Sequence, residues 1–141
     1  MGGWVLAVAV IVGAPALKEK PPDPPAGEWD LELMVRGGPP VMPKGRDDFL
    51  RLRFTPTSRA AVSSSFPRPS TARATFAQAG GVLHLDIYQG GPDTVERGIW
   101  KVEGHTLTIC QGLPGEPRPT DFTCPRGSKR VLMVLRRIKA E

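Results

Sequence analysis

Residues 98–138 leave this chain few folds to choose from. Gly98-Ile-Trp-Lys-Val-Glu-Gly104 runs through a glycine into His105-Thr-Leu-Thr-Ile-Cys-Gln111, a tight hairpin of two strands. The stretch from Gly112 to Ser128 carries Pro114, Pro117, Pro119 and Pro125, a density that a helix does not tolerate. Lys129 to Ile138 then reads as a closing strand, and its centre, Val131 to Leu135, is apolar at every position. One face of that strand must look into a core. The other must be covered, by the 112–128 loop or by the N-terminal leader.

The same alternation extends upstream. Glu28 to Val35 places Trp29, Leu31, Leu33 and Val35 on one side and Glu28, Asp30 and Glu32 on the other. Gly37-Gly-Pro-Pro40 ends it, since proline cannot donate a ladder hydrogen bond. Phe49 to Phe54 turns Leu50, Leu52 and Phe54 inward and Arg51 and Arg53 outward. Arg59 to Phe66 is a weak, Ala/Ser-rich strand with Ala60, Val62, Ser64 and Phe66 on one side. Thr71 to Ala77 brings Ala72, Ala74 and Phe76 together, and Val82 to Gln89 alternates Leu83, Leu85 and Ile87 with His84, Asp86 and Tyr88. The sixth strand, from about Thr94 to Glu103, aligns Gly98, Trp100 and Val102.

Eight strands joined mostly by short turns pair antiparallel with their sequence neighbours. That number closes into a small barrel and so removes exposed sheet edges. The expectation is an all-β, eight-stranded antiparallel up-and-down barrel over residues 27–141. A five-stranded oligonucleotide-binding barrel is the alternative, and the strand count separates the two. Sixteen Gly and sixteen Pro without a repeat fit many short elements and turns, and 141 residues suffice for one domain.

The N-terminus is a separate object. Trp4 to Val12 is an uncharged apolar run followed by Gly13-Ala14-Pro15-Ala16, which reads as a secretory signal over residues 1–16 with an Ala-x-Ala site. It falls short of the ~20 residues that span a bilayer. A buried first strand is the competing reading. Residues 17–26 follow as an extended, proline-rich leader. The expected location is therefore outside the cytoplasm, in the periplasm, the envelope or the medium, with no membrane span after cleavage.

The formal charge of +5 is concentrated: Lys44 to Arg73 holds seven Lys/Arg against two Asp, and Arg126 to Glu141 six against one Glu. Outward arginines alternating with apolar residues give such a surplus on any solvated barrel. In an exported protein an anionic envelope polymer, or another protein, is a more natural partner than nucleic acid.

Two stretches resemble known families. Gly27-Glu28-Trp29 resembles the Gly-x-Trp signature of lipocalins, which implies a tryptophan plugging one barrel end beneath an arginine of the last strand, here Arg136 or Arg137. Gly98 to Cys110, Pro114-Gly-Glu-Pro-Arg-Pro-Thr-Asp-Phe122 and Gly127 to Arg136 resemble an uncharacterised family of lipocalin-like domain proteins expanded in planctomycete bacteria. That family carries a Gly-x-Tyr hairpin, a Pro-Gly-x-x-Arg-Pro-x-x-Phe loop and a Val-Leu-x-Leu-x-Arg closing strand. Trp100 and His105 depart from it, standing where tyrosine and aspartate are usual. The resemblance implies a lipocalin-like barrel and no particular activity.

Candidate functional residues follow from the inward set. Trp29, Leu31, Leu33, Leu50, Leu52, Phe76 and Trp100 would line the interior, with Ala60, Ala72 and Ala74 leaving space for a small apolar or amphipathic ligand. Arg118, on the rigid proline loop, either binds an anion or pins the loop to an acidic residue of the sixth or seventh strand, with Phe122 as a stopper. Cys110 and Cys124 either pair as a disulfide or remain free thiols. His84 and His105 lack metal-ligand spacing to them, and no cofactor motif or nucleophile constellation is visible. His84 beside Asp86 is the one pair with acid–base character, and surface decoration explains it more simply. The chain reads as a non-enzymatic binding module; the alternative is a structural or interaction module whose barrel is filled by its own side chains.

Overall fold

A computed structural model describes residues 25–43, 49–64, 68, 70–90 and 94–138. The signal-like segment, most of the leader and Phe66 lie outside the described residues. Eight strands follow in order: β1 (Gly27–Val35), β2 (Leu50–Thr55), β3 (Ser58–Ser63), β4 (Ser70–Ala79), β5 (Val82–Tyr88), β6 (Val95–Glu103), β7 (Thr106–Gly112) and β8 (Arg130–Arg137). Each pairs antiparallel with the next, and β8 returns to pair with β1, closing the barrel. This is the expected up-and-down, lipocalin-like architecture. No helix among the described residues is long and apolar enough to cross a membrane.

The interior follows from the alternation. Leu52 and Phe54 of β2, Ala72 and Ala74 of β4, Leu85 and Ile87 of β5, Leu107 and Ile109 of β7, and Val131, Met133 and Leu135 of β8 are all buried in one core. Phe54, Phe76 and Trp100 run across it as an edge-to-face row, with ring centroids 6.1 and 6.2 Å apart. Trp29 is 0% exposed and closes one end. Its Nε1–H donates to the Pro25 carbonyl at 3.0 Å, and the Arg137 guanidinium lies 4.2 Å above its ring. Arg136 faces out, 3.7 Å from Glu32.

Two faces differ from the sequence expectation. Leu31 pairs with Leu135, but Leu33 pairs with Val134, so a bulge leaves one extra residue on β1. Beyond it the faces exchange. Met34, opposite Met133, packs against the core, while Leu33 and Val35 turn outward with Val134 and Leu132. An unbroken alternation cannot reveal this, because Leu33, Met34 and Val35 are all apolar. On β3, Leu52 faces Ala61 and Phe54 faces Arg59. Arg59 and Ala61 are therefore inside and Ala60 and Val62 outside, the reverse of the expected side. The Ala/Ser run offers no contrast from which parity can be read.

The outer face of β6–β8 is a second apolar layer. Val95, Ile99 and Cys110 are buried although they point away from the barrel. The loop between β7 and β8 covers them, whereas Leu132 and Val134, on the outer face of the closing strand, are half-buried. Gly115 N–H donates to Val95 O at 3.2 Å, Pro119 is fully buried, and Phe122 lies under Lys101 with the ammonium 4.8 Å from its ring.

Candidate ligand-binding cavity

The barrel's two ends are built differently. At the Trp29 end β1 is paired on both sides, with β2 over Gly27–Asp30 and with β8. Past Asp30 the pairing with β2 stops while that with β8 continues, and Met34 instead exchanges two hydrogen bonds with Val41, at 2.8 and 2.7 Å. At this second end the interior holds a cavity of about 250 Å³.

Its wall is apolar: Leu50 and Leu52 of β2, Ala61 of β3, Met34 of β1, and Val131 and Met133 of β8. Its rim is polar. Arg36 follows β1, Arg59 enters from β3, Gln89 from the end of β5, Glu96 from β6 and Gln111 from β7. Leu113 continues the lining beyond β7.

The polar groups are not equally satisfied. Glu96 Oε1 accepts from Gln111 Nε2 at 2.9 Å and from Gln89 Nε2 at 3.4 Å. Gln111, itself buried, is thereby held across the β6–β7 pair. Arg59 is in a different position. Its Nε is sealed from solvent and has no hydrogen-bond partner among the described residues. Burial pulls the guanidinium below its ordinary range, and the charge of Glu96 opposes that. An arginine so shifted is still a cation at neutral pH. The cavity thus combines a greasy wall, an amide-buffered carboxylate and a partly desolvated guanidinium. Such a set can hold a small molecule with one apolar and one polar end. Among the described residues no three His, Cys, Asp or Glu side chains group as metal ligands.

Several residues singled out from sequence stand elsewhere. Leu50 and Leu52 line the cavity as expected. Trp29 belongs to the sealed end, while Phe76 and Trp100 fill the aromatic row between the ends. Leu31 packs against the core, and Leu33 is outside it because of the bulge. Ala60 is also outside, and Ala61 takes its place.

Arg118 is not a cavity residue. It lies on the outer face, where Nη1 donates to Gly98 O at 2.8 Å and meets Asp86 Oδ1 at 2.7 Å, both side chains about four-fifths buried. It pins the loop, as one of the two expectations had it, but to β5 and a β6 carbonyl. Asp86 is therefore committed to Arg118 and not to His84. The loop's far end is tied similarly. Asp121 Oδ1 accepts from the Thr123 hydroxyl at 2.6 Å and from Arg130 Nη1 at 2.9 Å, and these bonds lower its pKa.

Cys110 and Cys124 are free thiols, so no disulfide clips the loop. Each sulfur has local partners instead. Cys110 Sγ faces Thr123 O at 3.6 Å; Cys124 Sγ sits between Val35 O and Arg130 O, at 3.4 and 3.3 Å, and accepts from Gly37 N–H at 3.2 Å. Burial pushes the Cys110 thiol up to about 11, far from a reactive thiolate.

Glu96 and Gln111 were legible in principle. Extending Gly98–Trp100 back by two residues puts Glu96 inside, and extending Leu107–Ile109 forward by two does the same for Gln111. No family model, curated protein or solved structure matches the chain.

Proposed function

We propose that this protein is an exported, non-enzymatic binding module that holds a small amphipathic ligand at the end of its barrel opposite Trp29. The observation carrying this reading is the cavity: one end of the barrel is sealed by Trp29, and the other keeps about 250 Å³ between an apolar wall and a polar rim. Pockets for drug-sized ligands start at ~300 Å³. The cavity lies just below that range, which favours a compact ligand, a short alkyl chain with a polar head. Export is inferred from the signal-like residues 1–16 and Ala-x-Ala site.

The competing role, a module whose basic exterior grips an anionic polymer, has less support. Several outward arginines already have partners within the barrel. Arg51 meets Asp30 at 2.8 Å, Arg73 stacks on Tyr88 at 3.8 Å, and Arg130 and Arg118 hold the loop.

Amide NMR titration with hexanamide, a neutral amphipath of suitable size, tests the proposal. Saturable shifts at Leu50, Leu52, Ala61 and Met133, with the Trp29 end silent, are expected. No saturable shift with hexanamide or with its carboxylate analogue hexanoate, or shifts confined to the outer loop, would remove the reading.

A further inference from the structure

We infer that the ligand is an organic oxyanion with a short apolar tail, and that Arg59 of β3 receives its charged head. This rests on the binding role proposed above and names the chemistry of that same cavity. Arg59 is half-buried, and a partly desolvated guanidinium gains from a carboxylate partner, because taking charge out of water is costly unless it is paired. Arg59 lines the cavity from the inner face of the barrel, and its Nε is sealed from solvent without a partner among the described residues.

Glu96 is the carboxylate of the cavity lining, and its Oε1 is already engaged by the amides of Gln111 and Gln89. None of the ion pairs among the described residues includes Arg59. Arg36 adds a second guanidinium to the lining, so two cations face one hydrogen-bonded anion. The local field therefore favours a guest bearing one negative charge.

The surroundings fit the rest of the guest. Arg59 stands between Phe54 on β2 and Ala72 on β4 and two residues from Ala61, so the small side chains of Ala72 and Ala61 leave room for a head group on one side and the Phe54 ring bounds the other. Leu50, Leu52 and Met133 supply the wall for a tail. A carboxylate accepting from a guanidinium in this setting forms a charge-assisted hydrogen bond, roughly twice as strong as a neutral one.

Hexanoate and hexanamide, which share shape and differ in charge, decide the matter at pH 7 by calorimetric titration of the full chain. The wild type should bind hexanoate at least tenfold more tightly than hexanamide. Arg59→Met should abolish that preference by lowering hexanoate affinity at least tenfold. Arg59→Gln, which keeps a polar end, guards against a folding defect in the first variant and should behave the same way. Glu96→Gln, which removes the opposing charge but retains a carbonyl acceptor, should strengthen hexanoate binding. Equal affinities in the wild type, or a hexanoate preference that survives in Arg59→Met, would overturn the anion assignment while leaving the binding role intact. Binding of neither probe would overturn both.

Discussion

Arg59→Met should make the ligand-free protein more stable. An N–H buried without a partner costs ~1–3 kcal/mol, and more when it belongs to a charged group. Arg59 Nε is in that state, and burial already disfavours the charged guanidinium. Methionine keeps an unbranched, adaptable stem and removes the polar head. Against the gain stands the lost attraction to Glu96, which acts in the opposite direction. The balance is a stabilisation of about 1 kcal/mol, or roughly 4 °C in Tm for a domain of this size. Urea unfolding at pH 7 measures it as a higher midpoint with an unchanged slope. Saturating hexanoate should reverse the order. At a hundred times its Kd a ligand adds about 2.7 kcal/mol to the protein that binds it and correspondingly less to a variant that does not. A destabilisation of 1 kcal/mol or more in the ligand-free variant would show that Arg59 is a satisfied structural residue, and the reasoning about the cavity would fail with it.

Three further outcomes test other parts of the structure. Trp29→Ala, at a fully buried position that also donates to Pro25 O, should cost ~3–5 kcal/mol by urea unfolding, whereas Arg137→Met, which removes the stacked cation and an exposed hydrogen bond to Ala26 O, should cost about 1 kcal/mol. Gly98→Ala should cost ~1–3 kcal/mol in the same assay, because a Cβ there meets Gln111 Cβ at 2.8 Å and Cys110 O at 2.9 Å and β6 must shift away from β7; wild-type stability would mean the strands are not so close. Cys110 should make stability pH-dependent at the alkaline end. Its thiol ionises near 9.0 when free but at about 11 when folded, so its contribution is complete below pH 9 and is lost as pH rises toward 11; Cys110→Ala should show a shallower decline across that window, and an identical slope would contradict the assignment.

The closed barrel was readable because its strongest strands alternate cleanly. Leu50-Arg-Leu-Arg-Phe54 leaves no doubt which face is inside, and Gly104 and Gly80-Gly81 mark the turns between strands that pair. The need for cover on the outer side of the sheet was equally plain, although the proline loop supplies it over β5 and β6, through Arg118, while Leu132 and Val134 of β8 stay half-buried beside Val35 and Leu33. The cavity was harder. Its least expected member, Arg59, sits on a strand of alanines and serines, where a slip of one residue changes no apolar count. The side of that strand is set by Leu52 and Phe54 across the ladder, not by its own sequence. Leu33 was misplaced for a related reason. A bulge among consecutive apolar residues is invisible until β8 fixes the register. The thiols show a third limit: spacing along the chain does not reveal that Cys124 is held by Gly37 N–H and two carbonyls from other segments.

A crystal structure of the protein with bromohexanoate would test the account most directly, because bromine is located independently of the fitted coordinates. The tail should lie among Leu50, Leu52 and Met133, with the carboxylate within hydrogen-bonding distance of Arg59. Bromine on the outer loop, or a barrel interior closed by its own side chains with no ligand density, would contradict it.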